Sequence, residues 1–100
     1  MTAGKVESLK VARVVRTVTV CNQRGLHARA AAKFVKTAAQ FSADVTVSRC
    51  GQSVGGGSIM GLMMLAAGPG CEIEIEGAGD GAAEAVERLV ELVERGFDEN

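Results

Sequence analysis

The chain has no tryptophan and no tyrosine, and only three phenylalanines, one proline and one histidine in 100 residues. So few aromatics leave little with which to stack nucleobases. Positive charge is not in surplus either. Eleven Lys and Arg face twelve Asp and Glu, a formal net charge of −1, whereas phosphate-backbone binding draws on a basic excess. No nucleic-acid partner is therefore expected. No apolar run approaches the ~20 residues that a bilayer-spanning helix needs. Residues 1–10 are polar and carry no signal-type apolar segment, so the expectation is a cytoplasmic protein with no membrane partner. Cys21, Cys50 and Cys71 are far apart and form no C-x-x-C pair, which indicates neither a zinc site nor a redox motif. They are expected to be buried or half-buried reduced thiols, packed as small apolar residues. No metal and no cofactor is expected.

What is present is ordinary for a soluble domain: 47% apolar and 23% charged residues. A chain of this length suits one domain and can bury ~65% of its unfolded surface, enough for a core without disulfides. No internal repeat and no composition shift marks a second domain. Residues 1–11 read as a polar lead-in, and residues 12–100 as the single domain.

Residues 13–21 alternate as a strand, with Val14, Val18 and Val20 on one face and Thr17 and Thr19 on the other. Arg16 shares the valine face, so it is placed near the strand's open end. Gly25 marks a loop over residues 22–27. Residues 28–41 then turn helical. Ala31, Phe34, Val35 and Ala38 make the inner stripe, and Arg29, Lys33, Lys36, Thr37 and Gln40 make a basic outer face. Residues 43–50 alternate again, with Val45 and Val47 inward. Val54 is a remnant of a weak strand within the glycine-rich residues 51–57. Ser58 is the expected N-cap of a short helix over residues 59–66, stopped by Gly68-Pro69-Gly70. Residues 71–76 form the cleanest strand, with Ile73 and Ile75 inward and Glu72, Glu74 and Glu76 in solvent.

Asp80 is the expected N-cap of the last helix, whose stripe is Val86, Leu89, Val90 and Val93. Glu84 with Arg88 and Glu91 with Arg95 are i, i+4 pairs in the favourable order, each worth ~0.3 kcal/mol. Gly96 suits a left-handed position after that helix, letting Phe97 close on Leu92. Each good strand has one apolar and one polar face. A parallel sheet covered on both sides reads as continuous apolar runs instead. The expected fold is thus a two-layer α+β domain: a largely antiparallel sheet with helices on one face.

The only histidine, His27, lies where loop becomes helix, in Gly25-Leu26-His27-Ala28-Arg29-Ala30-Ala31. In that place it reads as an ordinary helix-start residue or as a functional one. Three points favour function. The first turn offers unpaired N–H groups and a partial positive charge. That field leaves the imidazole neutral, with a nucleophilic nitrogen. It also favours an anion, such as a phosphoryl group carried on the ring. Arg29 is close enough to hold such a group by charge-assisted hydrogen bonds, and Gly25 leaves space for a partner's backbone. Nothing nearby in sequence looks like a general base or a metal site, so the pattern suits phosphoryl acceptance and relay more than hydrolysis.

The second constellation is Gly55-Gly56-Gly57-Ser58-Ile59-Met60-Gly61. It matches neither a Walker A loop nor G-x-G-x-x-G. Ser58 caps the helix and also offers a hydroxyl for phosphorylation, which a helix N-terminus tolerates. Ile59, Met60, Leu62, Met63, Met64 and Leu65 make the helix apolar nearly all round. Part of it belongs to the core, and the remainder is an exposed Met-rich patch of the kind that adapts to several partners.

At residues 25–31 and 58–63 the sequence resembles the HPr family, histidine-containing phosphocarriers of the bacterial phosphoenolpyruvate-dependent phosphotransferase system. The resemblance runs over about residues 13–97. It implies an open-faced β-sandwich of four antiparallel strands with three helices on one face. It implies that His27 is phosphorylated at Nδ1 by Enzyme I and passes the group to a histidine of a IIA-type protein, with Arg29 steadying it. Ser58 matches the family's regulatory serine, the target of a serine kinase/phosphorylase. Ala28, Lys33, Ile59, Met60, Leu62 and Met63 would belong to the docking surface, whose basic face meets acidic rims on partners. Two positions depart from the pattern. Ala30 stands where the family usually has proline, and Gly57 where many members carry a side chain. The run from Ser58 looks closer to the nitrogen-related branch than to the sugar-uptake branch. A monomer is expected of a relay that docks and releases quickly. The alternative is a regulatory interaction module, switched by phosphorylation of His27 or Ser58. A small α+β binding domain without phosphoryl chemistry would make the Gly25–Arg29 match incidental.

Overall fold

The structure, a computed structural model, describes residues 13–99; the expected lead-in, residues 1–11, lies outside them. The alternating segments become strands β1 (Arg13–Thr19), β2 (Asp44–Arg49), β3 (Gln52–Gly55) and β4 (Glu72–Ala78). The striped segments become helices α1 (Ala28–Ala38), α2 (Ile59–Met64) and α3 (Ala82–Glu94), followed by a 3₁₀ turn at Gly96–Asp98. The sheet order is β1-β4-β2-β3 and every pairing is antiparallel. This is the expected four-stranded, open-faced sandwich with three helices.

Register aligns the apolar positions across strands. Val18 lies opposite Ile73, and Val47 lies opposite both Ile75 and Val54. Directly paired residues share a face, so these side chains form one apolar floor. On it sit Phe34, Leu62, Leu65, Val86, Leu89, Val93 and Phe97, each at most 2% exposed. Gly77 lets α3 come down onto that floor, since a Cβ there would stand 2.8 Å from Val86 Cγ2. The other face is largely polar apart from exposed Val15, with Thr17, Glu72 and Glu74 exposed and Arg13 Nε donating to Glu76 Oε2 at 2.9 Å.

Four local expectations change. Arg16 is mid-strand, opposite Ile75, not at an end; it remains exposed because β1 is an edge strand. The cap of α3 is Gly81 (φ 75°) without a side-chain hydrogen bond. Two left-handed glycines, Gly79 and Gly81, turn the chain into the helix and leave Asp80 one residue too early to cap. Cys21 and Cys50 are exposed, and only Cys71 is half-buried. Cys21 lies beyond the end of β1 and Cys50 in the turn between β2 and β3, so neither occupies the inward row. Arg95 turns from Glu91 to Asp98, with Nε donating to Oδ1 at 2.9 Å. The Glu84–Arg88 pair does form, at 3.9 Å.

The short helix also ends sooner than expected. Ala66 adopts a left-handed φ of 53°, ahead of Gly68-Pro69-Gly70. Arg49 Nη1 donates to Leu65 O at 3.0 Å, placing a cation at the helix's negative end.

Candidate functional site

His27 is the N-cap of α1. Its backbone is extended (φ −76°, ψ 178°), as a cap requires, and its carbonyl accepts from Ala31 N–H at 2.8 Å. Its ring completes the cap: Nδ1 accepts from the Arg29 backbone N–H at 3.3 Å. An imidazole is thereby seated at the positive end of an eleven-residue helix with no acidic residue in its first turn.

The loop before it is held by glycine chemistry. Gly25 adopts φ +63°, and a Cβ there would lie 2.2 Å from Ala67 O. The space beside Gly25 is thus taken by this chain's own backbone and not left for a partner. The contact is used at once, because Leu26 N–H donates to Ala67 O at 3.0 Å. That bond ties the His27 loop to the segment following α2.

Around the ring lies a depression of about 300 Å³, lined by Gln23, Arg24, His27, Arg29, Lys33, Asp98 and Glu99. The Arg29 side chain makes no hydrogen bond or ion pair among the described residues, and Arg29 is exposed. Lys33 is half-buried and engaged, with Nζ donating to Phe97 O at 2.8 Å; it is less free for a partner than its place on the helix implied. Ala30, where proline was the family expectation, is fully buried in the first turn of an intact helix.

One group in this site is invisible to sequence reasoning. Glu99 lies 72 residues from His27, and its Oε2 accepts from His27 Nε2–H at 2.5 Å. Its Oε1 accepts from Asn22 Nδ2 at 3.0 Å. Asn22, only 5% exposed, also donates from Nδ2 to Gly25 O at 2.9 Å. Donation from Asn22, then from His27, holds the Glu99 carboxyl below the ordinary glutamate value. The 3₁₀ turn delivers Glu99 to the ring. Gly96, Phe97 and Asp98 take φ values of 66°, 56° and 61° in succession, a left-handed run that folds the chain back toward α1. The expected left-handed Gly96 is thus the first of three.

The second constellation behaves as expected at its head. Ser58 caps α2, with Oγ accepting from Gly61 N–H at 2.9 Å, and Ser58 is exposed. Gly56 is not a free hinge, because its N–H donates to Val45 O at 2.7 Å and a Cβ would meet Val45 Cγ1 at 2.6 Å. Ile59, Met60 and Met63 are 39%, 70% and 38% exposed, whereas Leu62 is wholly buried. Leu62 therefore belongs to the core and not to a docking surface. Met64, at 64% exposure, is the residue that sequence reasoning left out of that surface.

The fold is an open-faced α+β sandwich that seats its one imidazole at the head of a basic helix. The family model described as the PTS HPr component phosphorylation site matches residues 14–95. The phosphocarrier protein HPr of Pseudomonas putida is 47% identical over 85 residues, covering 84% of this chain and 94% of that one. The phosphocarrier protein NPr of Shewanella violacea is 40% identical, covering 84% and 92%. The crystal structure of HPr from Thermoanaerobacter tengcongensis superposes with a TM-score of 0.83 at 39% identity, covering 87% of this chain and 98% of that one. The chain belongs to the HPr family of phosphocarrier proteins, and that membership gives it a phosphocarrier role in the phosphotransferase system. No described helix is long and apolar enough to cross a membrane.

Proposed function

We propose that His27 accepts a phosphoryl group on Nδ1 from phosphorylated Enzyme I and passes it to a histidine of a IIA-type protein. The observation that carries this reading is the acceptor role of Nδ1 toward the Arg29 N–H. An accepting nitrogen holds a lone pair, and this one lies at a helix N-terminus, where a phosphoryl group is electrostatically favoured. Arg29, lining the same depression, steadies the phosphoryl oxygens as a charge-assisted donor. Ala28 and the exposed Ile59, Met60 and Met63 form the docking surface, with Met64 added. The protein works as a cytoplasmic monomer that engages each partner briefly. Its relatives carry both the HPr and the NPr name, and the acceptor is assigned here only as a IIA-type protein.

A second reading is supported by the position of Ser58. Its exposed hydroxyl stands at the head of the helix that bears the Met patch. Phosphorylation there by a serine kinase/phosphorylase places a dianion beside an apolar docking face and lowers partner affinity by desolvation and like-charge repulsion. Under this reading, pull-downs with plain and phosphorylated protein recover different partners; identical sets count against it.

The primary test is incubation with phosphoenolpyruvate, magnesium and purified Enzyme I, followed by intact mass. One added phosphoryl group, lost in acid and kept in base, is expected on the wild type and absent from His27→Ala. A His27→Ala protein that still takes up the group overturns the assignment.

A further inference from the structure

We propose that Glu99 is a positioning residue for phosphoryl uptake, holding the His27 proton on Nε2 so that Nδ1 stays the reactive nitrogen. The inference deepens the acceptor reading above and rests on it. A neutral imidazole carries one N–H, and which nitrogen bears it is set by the neighbours of each. Here the two neighbours demand the same tautomer. The Arg29 backbone N–H can only donate, so it requires a bare Nδ1. The Glu99 carboxylate can only accept, so it requires Nε2–H. The two contacts are unequal. At 3.3 Å the Arg29 bond is long, whereas the Glu99 contact is 2.5 Å and charge-assisted. Most of the tautomer control therefore falls to Glu99.

The carboxylate is itself held in place. Asn22 grips Oε1 from a buried position. Phe97, two residues earlier, is fully buried, and its carbonyl accepts from Lys33. The left-handed φ values at Phe97 and Asp98 are costly for residues with a side chain. They persist where buried apolar surface and hydrogen bonds over-determine the turn, and their effect here is to bring Glu99 onto the ring. The His27 and Glu99 side chains are each 18% exposed, so the contact is partly shielded from water. Glu99 touches Nε2 and not Nδ1, so it does not compete with the incoming group, and the long bond from the Arg29 N–H is what Nδ1 gives up. The family model ends at residue 95, short of Glu99.

In the transfer, Nδ1 releases the Arg29 N–H, its lone pair forms the new N–P bond and the donor's bond to phosphorus breaks, that electron pair leaving with the donor. The Nε2 proton stays on Nε2, and the ring becomes cationic. Glu99 faces that new charge at hydrogen-bond distance and stabilises it as it develops. On return transfer the same proton remains in place and the ring goes back to neutral.

The test uses full-length protein with ¹⁵N-labelled histidine, as wild type, Glu99→Ala, Glu99→Gln and Glu99→Asp. Long-range ¹⁵N–¹H spectra report the tautomer, and initial rates with phosphorylated Enzyme I report uptake. Partners that orient metal-bound imidazoles are typically worth ~10–100-fold, and the same orienting role is assigned to Glu99 without a metal. We expect Glu99→Ala to move both ring nitrogens toward averaged shifts and to slow uptake about tenfold, the lower end of that range. Glu99→Asp should restore both in part. Should Glu99→Ala fail to fold, the near-isosteric Glu99→Gln gives the same comparison with a weaker acceptor. Wild-type ¹⁵N shifts in the folded variants, or altered shifts with an unchanged rate, overturn the proposal. If the wild type takes up no phosphoryl group, the acceptor reading fails and the part of Glu99 in uptake falls with it. The ring shifts then still decide whether Glu99 sets the tautomer.

Discussion

Gly25→Ala is the substitution in which backbone geometry, stability and the site are most directly joined. Gly25 sits at φ +63° with Ala67 O 2.2 Å from where a Cβ would stand. Placing alanine in the left-handed region costs ~1–2 kcal/mol. The overlap is with backbone, not with a side chain that can swing away, so the loop must separate from Ala67. Leu26 N–H then loses its 3.0 Å partner, and an unsatisfied buried group costs ~1–3 kcal/mol. The sum is about 2–5 kcal/mol. At ~4–8 °C per kcal/mol for a domain of this size, Tm should fall by at least about 8 °C. Gly57→Ala is the control, since a Cβ there meets nothing within 4 Å and the change should stay within ~0.5 kcal/mol. Calorimetric melting of both variants beside the wild type is the assay. A Gly25→Ala protein that melts within a degree of wild type would show that the loop accommodates a Cβ at this position. A Gly57→Ala loss of equal size would refute the reasoning as well.

Two further outcomes are expected. Ser58→Ala removes the acceptor of the Gly61 N–H and should cost ~1 kcal/mol in a urea titration, with Ser58→Asn recovering most of it; equal midpoints for all three proteins would contradict the cap. Stability should also fall in acid. Glu99 and Asp98 lie below their ordinary values, chiefly through donation from Asn22 to the one and from Arg95 to the other. A lowered carboxyl contributes stability that is present above its unfolded value, here 4.5 for Glu99 and 3.8 for Asp98. That contribution is lost as pH falls through the folded value. Urea midpoints measured from pH 7 downward should drop below those values, and the drop should be smaller in a Glu99→Gln, Asp98→Asn variant; superimposable acid limbs would contradict it.

The layers were legible because periodicity is a local property. Val18, Val47, Ile73 and Ile75 each alternate with polar neighbours, and Phe34 and Leu89 recur at helical spacing, so strand, helix and buried face follow from a few adjacent residues. The placement of His27 at a helix start was legible for the same reason. What was missed is non-local or lacks a period. Glu99 reaches His27 only because three left-handed residues reverse the chain, and 72 residues separate the pair. Leu62 sits in a six-residue helix that is apolar all round, so no stripe distinguishes its core side from its exposed one. The partner of Gly25 is a carbonyl 42 residues on, and glycine in a loop does not say what approaches it. The Asp80 cap failed because the left-handed glycines Gly79 and Gly81 set the turn into α3 and put Gly81, not Asp80, at the cap position.

Arg16 was the one irregularity in an otherwise regular β1 row, and it has a consequence for how the protein behaves when crowded. It occupies the middle of an edge strand on the helix-bearing side, between Val14 and Val18 and opposite Ile75. The outer rim of β1 is a row of backbone groups that another sheet could pair with. Any sheet that added itself there and extended the apolar floor would have to cover a guanidinium, at a cost of several kcal/mol. A valine at that position would complete the row and leave the rim inviting. The arginine gives up a small part of the core and raises the cost of adding a strand at this rim.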